Sequence, residues 1–216
     1  MYKLNNLFKA TPFIIVSFIH IINQLHFLDQ EMVHSDMPTL LVIGQDVLRG
    51  YLPYENQFEP KGPFLYYAFA SLIYLAKGQL IFIKIINDFV ILLISFVIIK
   101  IANFQNKNLF FSTALASLFV LLMSAKGLGQ SAYSEIYGLL PLSVAIYFYF
   151  LSSIKKNRLY FCGFFTGVAC LVHQGVGLFF LILLLLIYIK FSKKDILNFL
   201  IGFSIPVFFI TIIYFI

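Results

Sequence analysis

The sequence predicts an all-α, polytopic membrane protein with about seven transmembrane helices, and three observations predict it. Only 11% of its residues are charged and 61% are hydrophobic, where a soluble domain carries roughly 25% charged residues. There is too little polar side chain to cover a globule in water. Apolar runs near the roughly 18–20 residues that a bilayer demands recur along the chain. The 15 Lys and Arg residues fall in small groups between those runs, as topology signals do. Although the net charge is +6, no stripe of Lys and Arg interleaves with exposed aromatics, so nucleic acid is not an expected partner.

The first run, Pro12–Leu28, follows Lys3 and Lys9. No small-x-small cleavage site comes after it, so it reads as an uncleaved first span rather than a signal peptide. His20 and His26 belong to this run and are expected at the membrane interface. Next comes a loop, Asp29 to Lys61, that holds six of the nine carboxylates: Asp29, Glu31, Asp36, Asp46, Glu55 and Glu59. Loops of that length in a compact domain are often functional.

Within the loop, "SDMPTLLVIGQDVLRGYLPY" predicts a short helix. Ser35 or Asp36 caps it, Pro38 lies in its first turn and Gly50 ends it. Leu40, Leu41, Ile43, Val47 and Leu48 give it an apolar side, as in a helix lying along a membrane surface. "YLPYENQFEPKGP" is turn-rich and returns the chain to a second interfacial helix, Pro63–Ala76. Further spans are expected at Gln79–Ile99, Leu109–Ser124, Ile136–Ser153, Leu159–Val172, Val176–Ile189 and Ile196–Ile216. Leu159–Ile189 reads equally as one long tilted helix or as two short ones.

The positive-inside rule orients these runs. With Pro63–Ala76 lying in the interface, the cytoplasmic side receives Lys3, Lys9, Lys100, Lys107, Lys155, Lys156, Arg158, Lys190, Lys193 and Lys194. The outer side keeps Arg49, Lys61, Lys77, Lys84 and Lys126. Were Pro63–Ala76 to cross, the balance would invert. The acidic loop, the segment from Lys126 to Glu135 and the "VHQGV" turn at 172–176 therefore all fall on the outer face. Cys162 and Cys170 sit two helical turns apart, about 12 Å at ~1.5 Å per residue. That is too far for a disulfide, and they read as small core residues.

Most loop carboxylates, Asp29, Glu31, Asp46 and Glu55, read as solvating surface. Asp36 differs, because it stands at a helix start where backbone N–H groups favour its ionised form. Glu59 and Lys61 are pinned between prolines against the membrane, where Lys61 could also simply snorkel. Glu135 opens a span on the same face; it is either a helix cap or a functional carboxylate. One cation among several carboxylates can bind a lipid phosphate as a point charge, while a carboxylate takes a proton from an acceptor.

The order of these features resembles a known family. An Asp at the head of the first outer loop, a surface helix ending in Gly, "PY" and then "FEPKGPFLYY" are similar to glycosyltransferases of the GT-C fold. The nearest resemblance is to the protein mannosyltransferase and lipid A aminoarabinose transferase type. "FCGFFTGVACLVHQG" resembles that family's Gly-rich segment, with His173 where a lysine is usual. Met37 and Pro38 follow Asp36, where the family often has Asp-Glu with a nearby Arg.

The resemblance implies transfer of a sugar from a polyprenyl-phosphate carrier to a hydroxyl or amine of a lipid, glycan or protein on the outer face of the membrane. It implies Asp36 as the general base and the Glu59–Lys61 pair at the metal or donor-phosphate site; Arg49 and Lys126 are further candidates for the phosphate, and His173 reads either as a polar cap or as a donor contact. Glu59 and Glu135 are second acidic or metal candidates; His34, two residues before Asp36, reads either as a ligand to a divalent metal with Glu59 or as an ordinary exposed loop histidine. On this reading residues 1–216 form one transmembrane GT-C-like domain, the N-terminal portion of a longer one. Residues 29–78 form its outer catalytic loop, facing away from the cytoplasm of, in a bacterium, the inner membrane. A transporter or flippase of lipid-linked substrates would instead need ionisable positions deep in the bilayer. Asp88 in "KIINDFV" is the residue that meets this description, and it could also line an active-site cavity. A non-catalytic membrane subunit is the third reading.

Overall fold

The computed structural model describes residues 2–25, 36–105, 108–125 and 134–215, the side chains of 2–10, 36 and 215 excepted. All regular structure among the described residues is helical. The helices are α1 (Tyr2–Leu25), α2 (Asp36–Leu48), α3 (Pro63–Leu75), α4 (Leu80–Phe104), α5 (Leu109–Met123), α6 (Ser134–Leu151), α7 (Arg158–Val172), α8 (Gly177–Lys190) and α9 (Lys193–Phe215).

Helices α4, α6 and α9 are long and apolar enough to cross a membrane. The other four expected spans are shorter as apolar helices: Thr11–Leu25 within α1, α5, α7 and the 174–190 segment that contains α8. Each falls short of the roughly 20 residues of a straight crossing. Outward positions carry large apolar side chains, among them Phe18, Phe110, Leu178 and Phe208. This is the pattern of helices whose solvent is hydrocarbon rather than water.

The chain forms two compact units. The first contains α1, α4 and α5, each packed on the other two. Small residues at the contacts, Ser95, Ser112 and Ala116, are buried and let the helices approach closely. Phe13 meets Phe96 edge to face with ring centroids 5.5 Å apart.

The second unit contains α3, α6, α7, α8, α9 and nearly all of α2. Leu40, Ile43 and Gly44 form the buried stripe of α2, and a Cβ on Gly44 would come within 2.8 Å of the Phe69 backbone in α3. The strongest packing is between α7 and α9. Gly163 and Gly167 lie one turn apart on α7, and Gly202 faces them from α9. A Cβ on Gly163 would meet the Phe199 carbonyl, and one on Gly202 the Tyr160 carbonyl. Only glycine permits backbones this close, as in membrane helices joined through small residues spaced by three.

Residues 159–189 are two helices, not one. His173 is extended (φ −142°, ψ 119°) and ends α7, and a single 3-10 turn at Gln174–Val176 leads into α8. Helices α6 to α9 therefore run alternately up and down. At one end, Lys190 Nζ donates to Ser153 Oγ at 3.1 Å, and Lys156 Nζ stands 3.5 Å from Asp195. The Ser192 N–H and hydroxyl both donate to Asp195 Oδ2, at 3.1 and 2.7 Å, and close the first turn of α9. The basic clusters 155–158 and 190–194 thus share one end of this unit. The opposite end gathers the start of α6, the end of α7, the start of α8 and the end of α9.

Candidate functional site

Three residues singled out in the sequence meet at that opposite end. Glu135 lies in the first turn of α6, and its Oε1 is 3.4 Å from Nε2 of His173, the residue that ends α7. The Ser134 hydroxyl donates to Glu135 Oε2 at 3.1 Å. Lys61 is near enough to act electrostatically on the same carboxylate. Glu135 keeps 51% of its side chain exposed, so the cluster is open rather than sealed. Gly138, one turn along α6, makes room for His173: a Cβ there would sit 3.2 Å from the His173 Cβ.

Lys61 is held by its backbone. The Tyr54 hydroxyl donates to the Lys61 carbonyl at 2.5 Å, and the Lys61 N–H donates to the Glu59 carbonyl at 2.7 Å. The next residue ties the loop to α7, since the Gly62 N–H donates to the Val172 carbonyl at 3.2 Å. A side chain on Gly62 would run into the Leu171 carbonyl. Pro63 then starts α3, where a missing N–H costs nothing. Tyr66 of α3 clasps Glu59 by donating to its carbonyl at 3.0 Å and accepting from its N–H at 3.2 Å. The "FEPKGP" motif is therefore a fixed strap between α3 and α7.

Tyr54 is the hidden anchor of this strap. Its backbone is left-handed, with φ +71°, a conformation that side-chain-bearing residues seldom adopt. Its ring packs edge-on against Tyr66 and stacks near Tyr214 of α9, with centroids 4.8 and 6.4 Å away. Tyr214 in turn donates to the Pro53 carbonyl at 3.3 Å. Burial, with Tyr66 alongside, pushes the Tyr54 hydroxyl up to about 12. It stays a neutral donor at any physiological pH.

An apolar groove of about 430 Å³ runs beside the cluster, lined by Phe64, Tyr67 and Ser71 of α3, Val168 and Val172 of α7, and Phe209 of α9. Val172 belongs to both features: its side chain lines the groove and its carbonyl holds Gly62. The volume falls in the range of small-molecule sites.

Other expected residues lie elsewhere. Arg49 is 68% exposed at the end of α2 and stands 3.5 Å from Asp46, which also accepts from Gln57. Glu59 keeps its carboxylate near the Tyr66 hydroxyl. Asp36 is the first residue of α2, but its side chain, like all of His34 and Lys126, lies outside the described residues. Among the described residues no three His, Cys, Asp or Glu side chains group as a metal site. Compared with family models, curated proteins and solved structures, the chain matches none.

Proposed function

We propose that the protein is a multi-pass membrane glycosyltransferase, with about seven spans and its catalytic loop outward. It would move a sugar from a polyprenyl-phosphate carrier to an acceptor hydroxyl or amine. The observation that supports this reading best is the meeting of Lys61, His173 and Glu135 on the end of their unit opposite the basic clusters, with an apolar groove whose lining residue Val172 precedes His173.

In this reading the carrier's isoprenoid chain lies along α3, α7 and α9, and its phosphate faces Lys61. Asp36 accepts the proton of the acceptor nucleophile. The acceptor oxygen or nitrogen attacks C1 of the sugar, with inversion, and the bond from C1 to the phosphate oxygen breaks. The electron pair leaves with polyprenyl phosphate, whose growing charge Lys61 stabilises with His173 beside it. Glu135 orients His173. A phosphate is a fair leaving group, so positioning and charge stabilisation suffice. A divalent ion on Glu59 would add to the same stabilisation.

The test is to incubate membranes containing the chain with radiolabelled polyprenyl-phosphate sugars and follow label from carrier to acceptor. Asp36→Asn should abolish transfer without changing membrane insertion; Lys61→Met should lower it about 100-fold or more. Full activity of Asp36→Asn rejects Asp36 as the base. A transport reading draws on buried His20 and partly exposed Asp88, 3.5 Å apart. Label recovered across the membrane while still joined to its carrier would favour transport.

A further inference from the structure

The end of the second unit opposite Lys61 and His173 has no part in sugar transfer, and it concentrates charge. Six cations lie there, Lys155, Lys156, Arg158, Lys190, Lys193 and Lys194, and Asp195 is the only carboxylate in the chain after Glu135. The loops that carry these cations are joined. Lys190 Nζ donates to Ser153 Oγ at 3.1 Å and ties the end of α8 to the α6–α7 loop. Lys156 Nζ, 3.5 Å from Asp195 Oδ2, ties the same loop to the first turn of α9. Gly163 of α7 abuts the Phe199 backbone of α9, which keeps the starts of these two helices side by side.

The cations divide into two sets. Lys156 is paired with Asp195, Lys190 also lies over the Tyr149 and Phe191 rings, and the Arg158 guanidinium lies over Phe148. Lys155, Lys193 and Lys194 are exposed and meet no carboxylate among the described residues. Lys155 adjoins Lys156 and Lys194 adjoins Asp195, so the Lys156–Asp195 contact gathers the unpaired lysines into one patch. Like charges held together repel, and an anion relieves that repulsion. Ammonium groups take a phosphate as point charges. The turns beside them expose large apolar side chains, Ile154, Ile189 and Leu197. A soluble polyanion would leave these in water, whereas acyl chains would cover them. A phosphocholine or phosphoethanolamine head adds a cation that the same lysines repel. Basic patches at the ends of membrane helices suit anionic headgroups for these reasons.

We propose that this end binds the phosphate of an anionic phospholipid in the leaflet that meets it. Lys155, Lys193 and Lys194 are the phosphate contacts, and Ile189 and Leu197 lie against the acyl chains. The lipid bridges the α6–α7 loop and the start of α9. No bond is made or broken.

The test is native mass spectrometry of the purified full chain, in detergent micelles holding equal amounts of phosphatidylglycerol and phosphatidylcholine with the same acyl chains. Phosphatidylglycerol adducts should outnumber phosphatidylcholine adducts at least about fivefold, the effect of one lysine near an anionic headgroup. Lys155→Gln/Lys193→Gln/Lys194→Gln should remove that preference. Lys3→Gln/Lys9→Gln/Lys100→Gln, which takes the same charge from elsewhere in the chain, should keep it. Equal adducts of the two lipids, a preference that survives the first triple substitution, or one that falls as far in the second would overturn the proposal. So would displacement of the lipid by an equal concentration of glycerol 1-phosphate, which would mark a site for a soluble phosphate instead. The unaltered chain decides between the two lipids by itself, so a variant that fails to fold does not leave the question open.

Discussion

His173 does two jobs that can be separated. Its Nδ1 accepts from the Gly175 N–H at 3.2 Å and shapes the turn after α7, while Nε2 faces Glu135. Asparagine can supply the same acceptor to the turn but cannot reach Glu135 as a cation. His173→Asn should therefore insert and fold normally while transfer falls about 100-fold, and His173→Lys should restore part of it; radiolabel transfer in membranes measures both. Tyr54 gives a second residue-scale prediction, with a sign. Its hydroxyl holds its proton to about pH 12, against 10.0 for an ordinary tyrosine. The unfolded chain thus ionises first. The stability Tyr54 contributes is complete below pH 10 and is lost as pH rises toward 12. Tyr54→Phe should cost about 1 kcal/mol through the lost bond to Lys61 and should remove that part of the alkaline loss, read from thermal unfolding in detergent at rising pH. Lys61, Glu135 and His173 were each legible in the sequence, because a charge at the edge of an apolar run has few places to go. Tyr54 was not, since nothing in "YLPYENQ" announces a left-handed tyrosine or a carbonyl seven residues on.

Most element boundaries follow the apolar runs, but α1 already begins at Tyr2, well before Pro12; α2 begins at Asp36 and is followed by a left-handed Gly50. The break in 159–189 was ambiguous because both halves are apolar and neither contains proline. What divides them is the extended backbone of His173, steadied by its own side chain on Gly175. The pairing of α7 with α9 was encoded but unread. Gly163 and Gly167 have the three-residue gap of close-packed membrane helices, and Gly202 supplies the opposing surface. Gly202→Ala should destabilise the unit by about 1–3 kcal/mol, the cost of overpacking a tight contact. The neighbouring Ile201→Ala, on an exposed position, should change little. Thermal unfolding of the purified chain distinguishes them, and equal stability of the two variants would mean that the helices do not meet through their glycines.

Across the second unit, the two ends differ in chemical character, and that difference predicts an orientation. Lys155, Lys156, Arg158, Lys190, Lys193 and Lys194 occupy the end tied together by Lys190 with Ser153 and Lys156 with Asp195. Tyr54, Lys61, Glu135, His173 and Tyr214 meet at the other. The 18 residues of α6 separate these ends, about 27 Å at ~1.5 Å per residue, close to the ~30 Å hydrocarbon thickness of a bilayer. Lysines and arginines are retained on the cytoplasmic side, so the site end should face out. The charge count from sequence rests on the same rule; what the structure adds is that both basic clusters share one end of this unit. With Cys162 and Cys170 changed to serine, a cysteine at the exposed Asn56 should react in intact cells with a membrane-impermeant maleimide. One at the exposed Lys194 should react only after permeabilisation. Reaction of both from the same side would place the basic clusters and the site in one compartment. Helices α6 to α9 could not then cross the membrane as four alternating spans, and an outward site for a lipid-linked sugar would have to be given up.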